Sequence, residues 1–304
     1  MNICVTGGAG FIGSHLVDRL IDNGHTVLVI DNLSSGSRDF VNSKAQFIEM
    51  DIRDSNLIST ICEFKPEYIF HEAAQTEVSV SMNHPKLDCD VNLMGLINIL
   101  DASVKCGVKK LLMPSSAAIY GNLDTLPLDE SMIGTPTSFY GLTKLTTEHY
   151  LRIYYEAYGL DYICYRYSNV YGPRQGNGGE GGVISIFAKA IANGLPITVY
   201  GDGEQTRDFI YVDDVVEANI LGLENNIRGI YNISTNIASS INSIIDELKC
   251  ISNSKIYVSY EPERIGDIRH SRLDNKKAQK DLFFKTTFNL RDGLYKTYEY
   301  FKKQ

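Results

Sequence analysis

Thr6-Gly7-Gly8-Ala9-Gly10-Phe11-Ile12-Gly13 follows a short apolar run, Asn2 to Thr6, and opens an amphipathic stretch that continues to Asn23. The glycines satisfy GxGxxG from Gly8 and GxxGxxG from Gly7. Between a strand and a helix, such glycines let the backbone turn tightly and approach a pyrophosphate, which the free N–H groups and dipole of the helix start stabilise. A turn that binds nothing is the rival reading; the strand, the spacing and the helix together argue against it. Asp31 ends the next apolar run, about 20 residues beyond the glycines, where a carboxylate accepts hydrogen bonds from an adenosine ribose. It would repel a 2′-phosphate, and Asn32-Leu33-Ser34 bring no arginine to offset that, so the pattern points to NAD over NADP.

Outward from this motif, short β-branched runs alternate with longer amphipathic stretches, the rhythm of repeated βαβ units. Strands are predicted at Asn2 to Thr6, Thr26 to Ile30, Gln46 to Glu49, Tyr68 to His71, Lys110 to Pro114 and Asp161 to Tyr165. Helices are predicted near Phe11 to Asn23, Ser55 to Glu63, Asp88 to Lys105 and Ser138 to Tyr158. The expected fold class is α/β, a Rossmann-type doubly wound parallel sheet whose ligands sit at the carboxyl ends of the strands. After Asn169 the rhythm breaks into a glycine-rich loop (Gly176 to Gly182), a helix to about Asn193, Pro196 and the turn Gly201-Asp202-Gly203. The chain closes on a helix over Gly293 to Phe301. Residues 1–168 are therefore expected to form the cofactor domain, joined by a segment near 209–233, and residues 169–304 mainly a smaller α/β substrate domain.

Composition narrows the function classes. With 304 residues, 43% of them hydrophobic, the chain can fill one large core or a large and a smaller one. No stretch approaches the roughly 18 apolar residues of a membrane span, and the glycine motif stands where a signal peptide would, so a cytoplasmic protein is expected. A net charge of -8 disfavours nucleic acid as a partner. Cys4, Cys62, Cys89, Cys106, Cys164 and Cys250 show neither CxxC pairs nor Cys/His ligand spacing, so buried thiols are expected, with no metal site and no disulfide framework.

Ser138-Phe139-Tyr140-Gly141-Leu142-Thr143-Lys144 contains Tyr-x-x-x-Lys inside a predicted helix, which puts both side chains on one face, a turn apart. An ammonium beside a phenol favours the phenolate and would lower the tyrosine pKa from about 10. In a chain with 19 tyrosines, chance matches occur, so the weight comes from the neighbours. Pro114-Ser115-Ser116-Ala117-Ala118 places two hydroxyls at the carboxyl end of a buried strand. The glycine motif, Asp31, these serines and the Tyr140/Lys144 pair together resemble the extended short-chain dehydrogenase/reductase family across nearly the whole chain, and within it the UDP-glucose 4-epimerases.

The resemblance implies roles residue by residue. Tyr140 would be the general base, Lys144 would hold the nicotinamide ribose and tune Tyr140, and Ser116, in preference to Ser115, would complete the catalytic set. NAD would be met by Gly7, Gly10, Phe11, Ile12, Gly13, Asp31, Asn32, Ser34, Gly36, Asp51, Ile52, Ala73, Ala74, Asn92 and Tyr167 as well as Tyr140 and Lys144. Asp51 has a plain alternative as a helix cap. In His71-Glu72-Ala73-Ala74, Glu72 replaces the family's usual apolar residue, a departure without explanation at this level. On the substrate side the resemblance implies Ser116, Asn169, Val183, Tyr200 stacked on uracil, Arg207 and Arg264 on the diphosphate, Asp267 on the ribose, and Ser271. Arginine suits phosphate because its planar fork binds two oxygens at once, although surface salt bridges are the rival reading.

The implied reaction is inversion at C4 of a UDP-hexose through a transient 4-keto sugar, with NAD regenerated. Related dehydratases and decarboxylases carry an acid within two residues of the strand-end hydroxyl; here those residues are Ala117 and Ala118. They therefore rank below the epimerase, as do a UDP-glucuronate 4-epimerase, a keto-sugar reductase and a non-catalytic NAD-sensing module. Ser271 falls where a tyrosine restricts the pocket near the 2-substituent, so UDP-GlcNAc and UDP-GalNAc are expected alongside UDP-glucose and UDP-galactose. The family also implies a homodimer through the helices Asp88 to Lys105 and Ser138 to Tyr158, with no nucleic acid or membrane partner.

Overall fold

The computed structural model describes residues 1–176, 181–263 and 268–304. β1 (Asn2–Thr6) is fully buried at Ile3, Cys4 and Val5, because a strand covered by helices on both faces must be apolar on both. The glycine turn leads into α1 (Phe11–Asp22), followed by β2 (Thr26–Asp31), β3 (Gln46–Glu49), α2 (Leu57–Phe64) and β4 (Tyr68–His71). α3 (Val78–Asn83), α4 (Pro85–Cys89) and α5 (Gly95–Cys106) come next, the last two joined by a π turn over Asp90–Met94. β5 (Lys110–Ser116), α6 (Phe139–Tyr158) and β6 (Asp161–Tyr167) complete the first half. The second half contains β7 (Asn169–Tyr171), α7 (Val183–Ala192), β8 (Ile197–Tyr200), β9 (Thr206–Arg207), β10 (Phe209–Tyr211), α8 (Val212–Glu224) and β11 (Gly229–Ile233). It ends with β12 (Ser239–Ser240), α9 (Ile241–Ser252), β13 (Val258–Glu261), α10 (Lys276–Asp281) and α11 (Leu290–Lys302).

The central sheet has the order β11-β6-β5-β4-β1-β2-β3, and every neighbouring pair is parallel. This is the doubly wound, Rossmann-type α/β fold that the alternating pattern predicts. The chain winds out from β1 through β2 and β3, then returns to β4 on the other side, so a crevice opens between the ends of β1 and β4. Leu16, Val17 and Leu20 of α1 meet Val215 and Val216 of α8 on one face of the sheet. Leu57 and Ile61 of α2 meet Leu96, Ile99 and Leu100 of α5 on the other.

Three details depart from the sequence expectation. β5 and β6 outrun their apolar cores, since the pairs Ser115↔Arg166 and Ser116↔Tyr167 continue the ladder and set Ser116 beside Tyr167. The helix expected from Asp88 begins at Pro85, a residue suited to a first helical turn, and widens at Asp90–Met94. The expectation of unpaired thiols is corrected: Cys62 in α2 is bonded to Cys106 in α5, with Cα atoms 5.1 Å apart. Packing of α2 on α5 joins cysteines 44 positions apart, a proximity that no local spacing encodes. Cys89 and Cys250 are exposed, leaving Cys4 and Cys164 as the buried thiols.

Past β6, short two-stranded pairings (β10 with β7, β12 with β9, β13 with β8) surround a core that includes Phe187, Ile191, Ile244, Leu248 and Leu294. Buried carboxylates tie its loops. Asp208 accepts from Thr235 N at 2.9 Å, Thr235 Oγ1 at 2.7 Å, Asn236 N at 3.0 Å and Leu273 N at 3.3 Å. Asp214 accepts from Thr287 N at 2.8 Å, Thr287 Oγ1 at 2.7 Å and Phe288 N at 3.3 Å. Burial raises both carboxyls above their ordinary range, and these donors pull the other way. Among the described residues, no helix is long and apolar enough to cross a membrane.

Candidate active site

A cavity of about 770 Å³ opens along the carboxyl ends of the central strands. Its first side is the glycine turn. Gly7 has φ +72°, and a Cβ there would strike the backbone of Glu72 and Ala73, so only glycine permits the close approach of β1 to β4. Gly13 carries a similar restriction, since a Cβ would collide with the Gly7 carbonyl. α1 starts at Gly10 without a side-chain cap, which leaves its first N–H groups facing the cavity lined by Gly10, Phe11, Ile12 and Gly13. Asp31 is fixed at the end of β2 by accepting from Ala9 N at 2.9 Å and Leu33 N at 2.8 Å. Burial raises its pKa, and those two N–H groups act in the opposite sense.

Asn32, Ser34, Asp51 and Ile52 line the same end. Asn32 donates to Asp51 at 2.8 Å, and the Arg53 guanidinium holds the Asp51 carboxyl far below the usual carboxylate range. Gly36 does not line the cavity. It packs closely on Ala9, where a Cβ would lie 2.6 Å from the Ala9 carbonyl oxygen. Asn92 is also absent from the lining; it accepts from Gln75 N at 2.9 Å and donates to Gln75 O at 3.0 Å, holding the segment after Ala74. Ala73 and Ala74 themselves face the cavity.

At the other end, Ser116, Tyr140, Lys144 and Tyr167 converge. Ser138 caps α6 by accepting from Gly141 N at 3.0 Å, which fixes the helix phase that turns Tyr140 and Lys144 to the strand ends. Burial raises the pKa of Tyr140, and the neighbouring Ser116 hydroxyl acts in the opposite sense. The expected lowering by Lys144 is therefore not what the free protein displays. Lys144 Nζ lies 5.9 Å from the Tyr140 ring centroid and donates to the Pro114 carbonyl at 3.1 Å. Burial lowers the pKa of Lys144 as well.

Ser115 points elsewhere: it donates to Glu148 at 2.6 Å. Glu148 pairs with Arg166 at 2.8 Å, and Arg166 donates to Tyr120, which in turn donates to Asn232, both at 2.8 Å. This buried network braces α6 against β5 and β6, and Asp88 of α4, accepting from Thr143 Oγ1 at 2.9 Å, ties α6 to α4. Glu148 lies one turn beyond Lys144 on the same face, a signal readable in sequence; Arg166 and Asn232 offer no such signal.

Beyond the strands, Asn169, Arg174, Gln175, Gly176, Gly181 and Gly182 extend the lining, with Thr76, Glu77, Ser79 and Met82 opposite. Of these, only Asn169 was expected. Val183 starts α7 just behind Gly182 and does not line the cavity. Tyr200, Arg207 and Ser271 gather around β8 and β9, outside the lining: Gln205 Nε2 donates to Tyr200 O at 2.8 Å, Arg207 Nη1 to Thr206 O at 2.9 Å, and Ser271 N to Thr206 O at 3.1 Å. Arg264 and Asp267 lie outside the described residues.

A doubly wound sheet with an open glycine turn at one end of its crevice and a serine, tyrosine and lysine at the other defines an enzyme of the extended short-chain dehydrogenase/reductase class. The chain belongs to the NAD dependent epimerase/dehydratase family, which matches residues 3–234. It is similar to a UDP-glucose 4-epimerase of Thermotoga maritima solved with UDP-glucose, at 44% identity and a TM-score of 0.97, over 100% of this chain and 99% of that one. A UDP-glucose 4-epimerase of Thermus thermophilus in complex with NAD is 38% identical, with a TM-score of 0.94 over 99% of both chains. A UDP-N-acetylglucosamine 4-epimerase of Methanobrevibacter ruminantium, in complex with UDP-N-acetylmuramic acid, is 38% identical, with a TM-score of 0.94 over 99% of this chain and 97% of that one.

Proposed function

We propose that the protein is an NAD-dependent epimerase acting at C4 of UDP-hexoses. The observation that carries this reading is the convergence of Ser116, Tyr140 and Lys144 in one cavity with the glycine turn. The residues fit NAD: the uncapped start of α1 suits a pyrophosphate, and Asp31 suits an adenosine ribose. Gly7, Gly10, Phe11, Ile12, Gly13, Asp31, Asn32, Ser34, Asp51 and Ile52 would hold its adenosine half; Ala73, Ala74, Lys144 and Tyr167 would hold its nicotinamide half. When bound, NAD supplies the hydride acceptor and donor for C4 of the sugar.

Tyr140 takes the proton of the 4-hydroxyl and later returns it, with Ser116 hydrogen-bonding the same oxygen. Burial keeps the phenol protonated in the free protein, so its use as a base depends on positive charge gathered at this end, of which Lys144 is the protein's share. Ala117 and Ala118 follow Ser116, so the acid that related dehydratases carry at that point is missing. The small Ser271 favours a site that also takes N-acetylated sugars, a reading in line with the UDP-N-acetylglucosamine epimerase among the similar structures. Asn169, Tyr200, Arg207, Arg264 and Asp267 are proposed as the nucleotide anchor. Exposed Met94, Leu142 and Ile153 support a homodimer through the α4–α5 and α6 faces, and a cytoplasmic enzyme fits the reading.

Incubating the purified protein separately with UDP-glucose, UDP-GlcNAc and UDP-glucuronate, and resolving the epimers by NMR, tests this. Interconversion of the first two is expected. Failure to convert any of them overturns the reading, and conversion of the glucuronate alone moves it to the uronic-acid class.

A further inference from the structure

Glu72 departs from the family pattern, and the proposed chemistry leaves it unused. It stands at the end of β4, at the switch point of the sheet: its N–H donates to Thr6 O at 2.9 Å, and a Cβ on Gly7 would lie 2.6 Å from its carbonyl carbon. Glu72 is among the residues that line the cavity, along with Pro114, Ser116, Tyr140, Lys144 and Tyr167. Oε1 is shut away from solvent, with no hydrogen-bond partner among the described residues. A carboxylate oxygen in that state is costly, and native structures rarely leave one without a partner that completes the site. The groups facing it are Lys144 from α6, Tyr167 and Tyr165 from β6, His71 beside it on β4, and the non-titrating Thr6 from β1. Burial pushes His71 down to about 3, so it is neutral, and the Lys144 ammonium is already engaged by the Pro114 carbonyl at 3.1 Å.

We propose that Glu72 is the proton partner of the nicotinamide's redox state, ionised against the cationic oxidised ring and protonated against the neutral reduced one. The proposal rests on the NAD reading of this cavity. Burial pushes the carboxyl up to about 7, with Lys144 and Tyr167 pulling the other way, so one added or removed charge decides its state. A cation beside it lowers that value, and its loss lets burial raise it. By linkage, the ionised carboxylate stabilises the oxidised cofactor, the form in which each turnover must begin and end. The balance is explicit: the ring gains two electrons and one proton as hydride from a sugar C–H bond or a borohydride-class reductant. Glu72 gains one proton from water, and reoxidation returns both.

The test uses purified holoenzyme whose released nucleotide is first identified, then titrated redox-wise with mediators across neutrality and read by the near-ultraviolet absorbance of the reduced ring. The ring alone takes one proton per two electrons, a slope of about 30 mV per pH unit, whereas a coupled carboxyl brings the slope towards about 59 mV. The steeper slope is expected in the native protein, and the single-proton slope in Glu72→Gln. Above neutrality, Glu72→Gln should hold at least about tenfold more reduced cofactor at a fixed potential, equivalent to about 30 mV for this couple. The reduced-minus-oxidised infrared spectrum of the native protein should gain a protonated-carboxyl band. A single-proton slope without that band in the native protein overturns the proposal, whether or not the variant folds. A protein that carries no nicotinamide dinucleotide overturns the cofactor reading, and this proposal with it.

Discussion

The glycine-turn side of the cavity and the side that continues past Asn169 are held by different means. On the first, seven parallel strands fix the backbone, and each site residue sits at a strand end or on a helix laid over the sheet. On the second, strands of two to four residues do little, and buried carboxylates gather the loops. The contrast teaches that chemistry and substrate choice can be tuned separately. The first side holds its geometry by ladder hydrogen bonds, so side-chain changes there alter chemistry before stability; the second loses its shape when one polar hub is removed.

Tyr140→Phe should break the first side's chemistry most sharply, lowering kcat about 10²- to 10⁴-fold with an unchanged melting midpoint. Unchanged epimer formation would remove Tyr140 from the mechanism. Asp208→Ala should do the converse, costing about 3 kcal/mol in denaturant unfolding because three backbone N–H groups, one of them buried and two partly so, lose their acceptor. Hydrogen exchange at Thr235, Asn236 and Leu273 should accelerate while the dinucleotide stays bound. The adjacent serines sharpen the same contrast on a smaller scale. Ser116→Ala should lower kcat about tenfold or more, whereas Ser115→Ala, which removes one donor from Glu148 and leaves its pair with Arg166, should appear mainly as about 1–2 kcal/mol of lost stability. Smallest, Ser271→Tyr should shift the kcat/KM ratio of UDP-GlcNAc to UDP-glucose by about tenfold against the N-acetyl sugar, without moving the unfolding curve.

Legibility follows the same division. Five of the six strands of the first half could be read because a strand buried on both faces must be largely apolar, β3 at the sheet edge being partly exposed, and the strand ends carried the glycine turn, Asp31, Ser116 and the Tyr140/Lys144 helix to one cavity. What escaped there was polar: Glu148, Arg166 and Asn232 meet only in the folded chain, and Glu72 reads as an anomaly until its place in the cavity wall is known. Gly36 packs on Ala9 and Asn92 holds Gln75, contacts that sequence spacing does not carry. In the second half, the strands outside the central sheet have two to four residues, too few to leave a period, and Tyr200, Arg207 and Ser271 cluster around β8 and β9 instead of lining the cavity of the described residues. The Cys62–Cys106 bond likewise left no trace in the spacing of the cysteines, since helix packing alone creates it.

The account stands on transient oxidation at C4 with return of the same hydrogen. UDP-glucose carrying deuterium at C4, turned over in ordinary water and analysed by NMR, tests this directly: the galactose-configured product should retain the label at C4. Loss of the label to water would contradict the account.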